Sequence, residues 1–269
     1  MLDIYNIGFL LLIILVVLII ILIVYVGVEM GQEDDEIFSF PSIYIINLER
    51  KEERYNYVSK QLDKLGIIEY ERWNAIDGFN TDDNVFMENG ITNKLMERRG
   101  LAGCALSHIK LWEHIKNNKM GWTLILEDDV HFHPQFKNLL PKYWKDVPKD
   151  AKIVFLGYCG DLEKKNQKII KAPVMCTHGY MISWEGAKIL LDNLIPMKDP
   201  VDIEIMNYFL KNNSDGCYVL NGDIFIDGIR PNEYKEKNGN KCMFNGIIYQ
   251  NQEEQGSTIH QIDTVYEYR

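Results

Sequence analysis

Short apolar runs and helix-spaced amphipathic segments take turns along the chain from residue 42 onward, and that alternation limits the folds open to it. "SIYIINL" (42–48) reads as a buried strand, and the segment behind it sets Tyr55, Val58, Leu62 and Leu65 on one helical face before Gly66. "YERWNAIDG" (70–78) reads as a second strand closed by an Asp-Gly turn. Residues 79–100 are polar and punctuated, which predicts a long loop, of a length that is usually functional or mobile. Leu101, Ala105, His108, Trp112 and Ile115 then share a helical face. Further on, "WTLILEDDV", "AKIVFLGY", "CTHGYMIS" and "GCYVLNGDIFI" read as strands, with a polar, hairpin-like excursion up to Lys171. Residues 134–144, "WEGAKILLDNL" and "PVDIEIMNYFLKN" read as helices, the last with Pro200 at its first turn. Strands alternating with helices predict an α/β domain with a mostly parallel sheet and right-handed crossovers.

The first thirty residues follow another pattern. Ile7 to Val28 holds no charged residue, and roughly 22 helical residues span about 33 Å, enough for the ~30 Å core of a bilayer. The head lacks basic residues and the exit lacks a small-residue cleavage site, so an uncleaved anchor is expected rather than a signal peptide. A short head before a large body implies a single-pass, type II arrangement with the body on the lumenal or non-cytosolic side. The expected division is a membrane anchor at 1–30, an acidic connector at 31–41 and one large domain at 42–269.

A net charge of −10 without a basic tract speaks against a nucleic-acid partner. The five cysteines show no CxxC spacing. Cys104, Cys159 and Cys176 lie in apolar runs and are expected as core thiols, while Cys217 and Cys242 flank polar segments and are the candidates for a bridge.

The run "TLILEDDVHFHP" (123–134) carries a core strand straight into three acids. In an α/β sheet ligands bind beyond the carboxyl ends of the strands, where Glu127, Asp128 and Asp129 emerge. Strand alternation puts Glu127 and Asp129 on one side and Asp128 on the other. Clustered carboxylates resist desolvation and call for a cation, and hard oxygen ligands favour Mg²⁺ or Mn²⁺. His131 and His133 continue the same parity, which leaves a zinc pair open, although Pro134 turns the chain away.

"INLERKEERY", "ERWNAIDG", "GLAGCALSHIKLWEHI", "LILEDDV", "THGYMISWEGAKILL", "PVDIEIM" and "IIYQNQEEQGSTI" follow one another in an order and spacing that resemble glycosyltransferase family 25, over roughly residues 43–259. That family includes bacterial lipopolysaccharide galactosyltransferases and collagen hydroxylysine galactosyltransferases. The resemblance implies a GT-A type, Rossmann-like domain for UDP-sugars, with an acidic DxD-type motif holding Mn²⁺ or Mg²⁺. It implies an inverting transfer of a hexose, galactose first, to a hydroxyl of a glycan or protein acceptor. Transfer of glucose or N-acetylglucosamine, or a silent carbohydrate-binding protein of the same fold, are the alternatives.

Carried onto this chain, the resemblance makes Glu127 and Asp129 the metal ligands. Asp128, Arg50, Arg54, Ser107, His108 and His178 become donor-binding residues, Asp202 the base that takes the acceptor's proton, and Glu204 its alternate. The family usually has a Glu after the glycine that is Gly100 here, where this chain has Leu101.

Overall fold

In the computed structural model the described residues are 13–22, 38–159, 162, 166–237, 242–243 and 245–251. The chain divides into residues 1–40 and 41–269. Among the described residues no helix is long and apolar enough to cross a membrane, which corrects the expected single-pass location. The helical stretch described near the N-terminus, residues 13–22, measures about 15 Å at 1.5 Å per residue, half of a ~30 Å hydrocarbon core. The remainder of the apolar run, 7–12 and 23–28, lies outside the described residues.

In the second unit, β1 (Ser42–Asn47), α1 (Glu52–Lys64), β2 (Glu71–Asn74), α2 (Asp83–Glu88), α3 (Asn93–Met96) and α4 (Arg99–Asn117) lead to β3 (Thr123–Glu127) and β4 (Val130–Phe132). Then follow α5 (Phe136–Trp144), β5 (Ile153–Phe155), β6 (Gly157–Tyr158), β7 (Ile169–Lys171), β8 (Gly179–Ile182), α6 (Trp184–Leu194) and α7 (Val201–Lys211). The described part closes with β9 (Cys217–Leu220), α8 (Pro231–Lys237), β10 (Cys242–Met243), β11 (Asn245–Gly246) and β12 (Ile248–Asn251).

Seven strands form the central sheet in the order β2-β1-β3-β8-β5-β9-β7. The sheet is mostly parallel, as expected: β2, β1, β3, β5 and β9 share one direction, while β8 and β7 run against it. β1 and β3 are apolar without alternation because both of their faces are covered. The helix α4 is buried along most of its length and packs with α6 on the core.

Two local expectations change. Residues 79–100 are not one loop: Phe86, Ile91 and Leu95 are buried, and these anchors fold the stretch into the short helices α2 and α3. The cysteines also differ from expectation. Cys159 and Cys176 form a disulfide, and Cys217 is a buried free thiol that donates to the carbonyl of Ala172. Cys159 and Cys176 are both half-buried, and a run that is apolar in sequence suits a bridge as well as a thiol, which is why sequence context misassigned them.

The helix α4 approaches the turn after β2 so closely that only glycine fits at Gly103. A Cβ there would stand 2.6 Å from the carbonyl oxygen of Ile76 and 2.7 Å from the amide nitrogen of Gly78. Alanine normally gains up to ~1 kcal/mol over glycine inside a helix, but backbone cannot yield as a side chain can, so the clash wins. We expect Gly103→Ala to lower unfolding free energy by about 1–3 kcal/mol in a denaturant titration. Gly121→Ala, where nothing lies within 4 Å, serves as the neutral control.

Candidate functional site

From β1 the chain crosses through α1 to β2 on one side, and the next core strand, β3, pairs on the other side of β1. The strand order therefore reverses at β1, and such a switch point opens a crevice beyond the carboxyl ends of the strands. A cleft with about 680 Å³ of empty space, solvent-open volume included, lies there. Its walls come from the segments after β1, β2 and β3 and from α4.

β3 ends at Glu127, and Asp128 and Asp129 form a turn, so strand parity no longer governs where they point. Asp128 is committed to the protein: its Oδ1 lies 2.5 Å from Arg54 and its Oδ2 accepts from Asn47 Nδ2 at 2.6 Å. Burial raises its carboxyl above the ordinary value despite the opposing charge of Arg54 and the Asn47 bond. Asp129 Oδ2 accepts from Gln250 Nε2 at 2.6 Å and lies 3.5 Å from Arg54. Its Oδ1 is buried and makes no hydrogen bond among the described residues. Burial first, and then the charge of Glu127, push this carboxyl up to about 7.

Glu127 has the opposite setting. Its Oε1 accepts from Thr177 Oγ1 at 2.7 Å and lies 3.5 Å from His108 Nε2. Burial raises Glu127, but the His108 imidazole and the Thr177 hydroxyl outweigh it, and the carboxyl stays below its ordinary value. Both contacts fall on one oxygen, which leaves Oε2 without a hydrogen bond among the described residues.

The tautomer of His108 follows from its neighbours. Trp112 Nε1 can only donate, and it donates to Tyr180 Oη at 2.9 Å. The single Tyr180 proton is then given to His108 Nδ1, 2.9 Å away. Neutral His108 therefore carries its proton on Nε2, facing Glu127. All three rings are fully buried, so packing fixes the chain of bonds from Trp112 through Tyr180 to His108, whose Nε2 faces Glu127 at 3.5 Å without a hydrogen bond among the described residues.

The other expected site residues divide. Arg54 is buried against Asp128 and Asp129, so it offsets the charge of the acid turn. Arg50 lines the cleft at its exposed side, paired with Asp77. Ser107 also lines the cleft, but its hydroxyl accepts from the amide of Ile76 at 2.8 Å and donates to the carbonyl of Gly103 at 2.7 Å. His178 does not line the cleft; its Nε2 donates to the carbonyl of Ile248 at 3.3 Å and packs over Gly157.

Asp202 stands in the first turn of α7, accepting from the amides of Cys176 at 3.3 Å and Ile203 at 2.9 Å. Burial raises its carboxyl, those amides oppose, and the charge of Glu127 raises it further, but Asp202 does not line the cleft. Glu204 is spent elsewhere: its Oε1 accepts from the amides of Lys198 and Asp199 at 2.9 and 3.0 Å, folding back over the helix start. The histidine pair, left open as a zinc site, is engaged in hydrogen bonds among the described residues. His131 bonds Tyr57 and Tyr234 through its two ring nitrogens, and His133 Nδ1 accepts from the amide of Gln135.

Asn47, Thr177 and Gln250 hold the three acids, and none of them stood out as a site residue in the sequence. Each lies inside a motif quoted above, but a neutral partner carries no charge pattern to mark it. The disulfide bears on the same place, because Cys176 adjoins Thr177 and its amide binds Asp202. Closing a loop across 17 residues stabilises the fold by about 3 kcal/mol in the chain-entropy picture. We expect Cys159→Ser to lower the unfolding free energy by about that amount in a denaturant titration, and reductant to do the same to the native protein but not to the variant.

The model of glycosyltransferase family 25 (LPS biosynthesis protein) matches residues 40–205. Procollagen galactosyltransferase 2 of Mus musculus is 32% identical over 172 residues, 56% of this chain and 27% of that protein. A putative glycosyltransferase of Acanthamoeba polyphaga mimivirus is 29% identical over 170 residues, 56% of this chain and 52% of that protein. The chain thus spans between about a quarter and a half of the length of these relatives. A solved glycosyltransferase involved in the glycosylation of the major capsid of PBCV-1 superposes with a TM-score of 0.43 at 13% identity, over 81% of this chain and 96% of that one. Matched by the family model over more than half of its residues, the chain belongs to glycosyltransferase family 25.

Proposed function

We propose that the chain is a metal-dependent, inverting hexosyltransferase of GT-A type, moving galactose from UDP-galactose to a hydroxyl of a glycan or protein acceptor. The observation that carries this reading is the acid turn at the switch-point cleft. There Asp129 Oδ1 is buried and unbonded among the described residues, and Glu127 Oε2 is open beside it. Two carboxylate oxygens left over in a desolvated site fit a hard divalent cation. Glu127 and Asp129 would hold Mn²⁺ or Mg²⁺, which supplies charge neutralisation at the diphosphate leaving group.

The chain's own residues do the rest. His108 and Thr177 fix Glu127 from one side, so its second oxygen keeps a set position. Arg54 and Asn47 hold Asp128, and through it the turn, against the end of β1. Arg50, at the exposed side of the cleft, is suited to a bidentate phosphate contact in exchange for Asp77. Asp202, with its carboxyl raised and an oxygen lone pair to spare beyond each amide bond, takes the acceptor hydroxyl's proton as the new glycosidic bond forms.

The test is a screen of UDP-sugars with the full chain, following UDP release with and without an acceptor pool, in Mn²⁺ and in EDTA. Turnover of UDP-galactose that EDTA abolishes supports the reading. Preference for UDP-glucose or UDP-N-acetylglucosamine would change the donor, and binding without turnover of any donor would overturn transfer. Because burial and the charge of Glu127 push the Asp129 carboxyl up to about 7, manganese affinity should fall as the pH drops through about 7, which calorimetry at pH 6 and pH 8 would show.

A further inference from the structure

Cys104 and His108 are four residues apart on α4, so thiol and imidazole share one helix face, and the end of β3 brings Glu127 against them. One ligand atom from each, a sulfur, a ring nitrogen and a carboxylate oxygen, lies within 4.8 Å of the others. His108 is fully buried, and its Nε2 makes no hydrogen bond among the described residues, standing 3.5 Å from Glu127 Oε1. Its Nδ1 meets the Tyr180 hydroxyl, the kind of outer partner that orients a metal-bound imidazole. Cys104 and Glu127 both line the cleft, so an ion has a way in.

The surrounding charge favours a cation. Burial first, and then the charges of Glu127, Asp202, Asp129 and Asp128, hold the Cys104 thiol well above its ordinary value, so only a bound cation displaces its proton, and Arg54 is committed to two of those acids. A thiolate is a poor ligand for Mn²⁺ or Mg²⁺ and a good one for zinc, and one sulfur, one nitrogen and one oxygen leave a fourth tetrahedral position for water.

We propose that Cys104, His108 and Glu127 form a binding site for a thiophilic divalent cation of the zinc class, one that competes for Glu127 with the all-oxygen site on Glu127 and Asp129. On binding, the Cys104 proton leaves to solvent. The His108 proton moves from Nε2 to Nδ1, where Tyr180 Oη accepts it. Tyr180 then loses the acceptor for its own hydrogen, which makes this a weaker, exchangeable site rather than a closed structural one. Zinc binding needs no donor or acceptor, so it stands or falls separately from the transfer reaction; only the consequence that zinc withdraws Glu127 from the cleft rests on that reading.

Calorimetric titration of the full chain with Zn²⁺ and with Mn²⁺ tests the site, together with the spectrum of the Co²⁺-loaded protein. Cys104→Ser should weaken zinc by at least ~10²-fold, beyond the loss that follows removal of an outer hydrogen-bond partner, and should erase the thiolate-to-Co²⁺ charge-transfer band. Manganese affinity should stay within about 3-fold, since sulfur contributes little to it. Cys217→Ser is the control and should change neither metal. Melting curves confirm that both variants fold. A zinc affinity or cobalt band that survives Cys104→Ser, or zinc binding no tighter than manganese, overturns the proposal.

Discussion

Asp129→Asn should lower glycosyl transfer by at least ~10²-fold, the scale of losing one strong electrostatic stabiliser, and yet raise the melting temperature of the metal-free protein at pH 8. Both effects have one cause. The Asp129 carboxyl is buried beside Glu127 and pushed up to about 7 from an ordinary 3.8. A carboxyl whose folded value is raised is held more tightly as the acid when folded, so the folded state loses stability as pH climbs from about 4 to about 7. Asparagine removes that charge and can still accept from Gln250 through its single oxygen. The stability difference between variant and native protein should shrink toward pH 4 and should reverse when saturating Mn²⁺ is added to the native protein. Unchanged transfer in Asp129→Asn, or a variant less stable than the native protein at pH 8 without metal, would remove Asp129 from the metal site.

Asp202→Asn should reduce kcat by about 10²-fold or more and leave UDP-sugar affinity nearly unchanged, because a general base acts on the acceptor only in the transition state. The carboxylate accepts two backbone amides, from Cys176 and Ile203, and asparagine can satisfy only one of them through oxygen. A modest stability loss of about 1 kcal/mol is therefore expected alongside, and it does not distinguish the roles. Donor affinity beside turnover does distinguish them. Near-normal turnover would make Asp202 a helix-start residue like Glu204, whereas a parallel loss of donor binding would place it on the metal side of the reaction.

The alternation of strands and helices was legible because burial on both faces writes itself as apolar runs, and "WEGAKILLDNL" gave α6 its observed bounds. Strand direction was not legible: Gly179–Ile182 carries the same pattern whether it runs with β3 or against it, and it runs against. The acid turn was visible as charge, but its internal order was not. Parity grouped Glu127 with Asp129, whereas the turn after Glu127 sends Asp128 to Arg54 and Asn47 and Asp129 to Gln250. Arg54, expected as a donor-binding residue, lines the cleft as a buried counter-charge to Asp128 and Asp129, since only long-range packing decides which face of α1 meets the sheet. Tyr180 lies in the core, where its hydroxyl also fixes the tautomer of the histidine beside Glu127.

The bond between Gln250 and Asp129 spans 121 residues, and that distance has a meaning in time. A ribosome adding roughly 5–20 residues per second delivers Asp129 about 6–24 s before Gln250 exists. In that interval Arg54 and Asn47 are already available to Asp128, while the outer edge of β3 waits for β8 and Asp129 waits for β12. A nascent chain halted between them presents an unpaired strand edge beside carboxylates still in water, each near its ordinary acidity. Gln250 reaches Asp129 only when β12, the last described strand, pairs with β4, and its bond then tempers a carboxyl that burial and the charge of Glu127 raise.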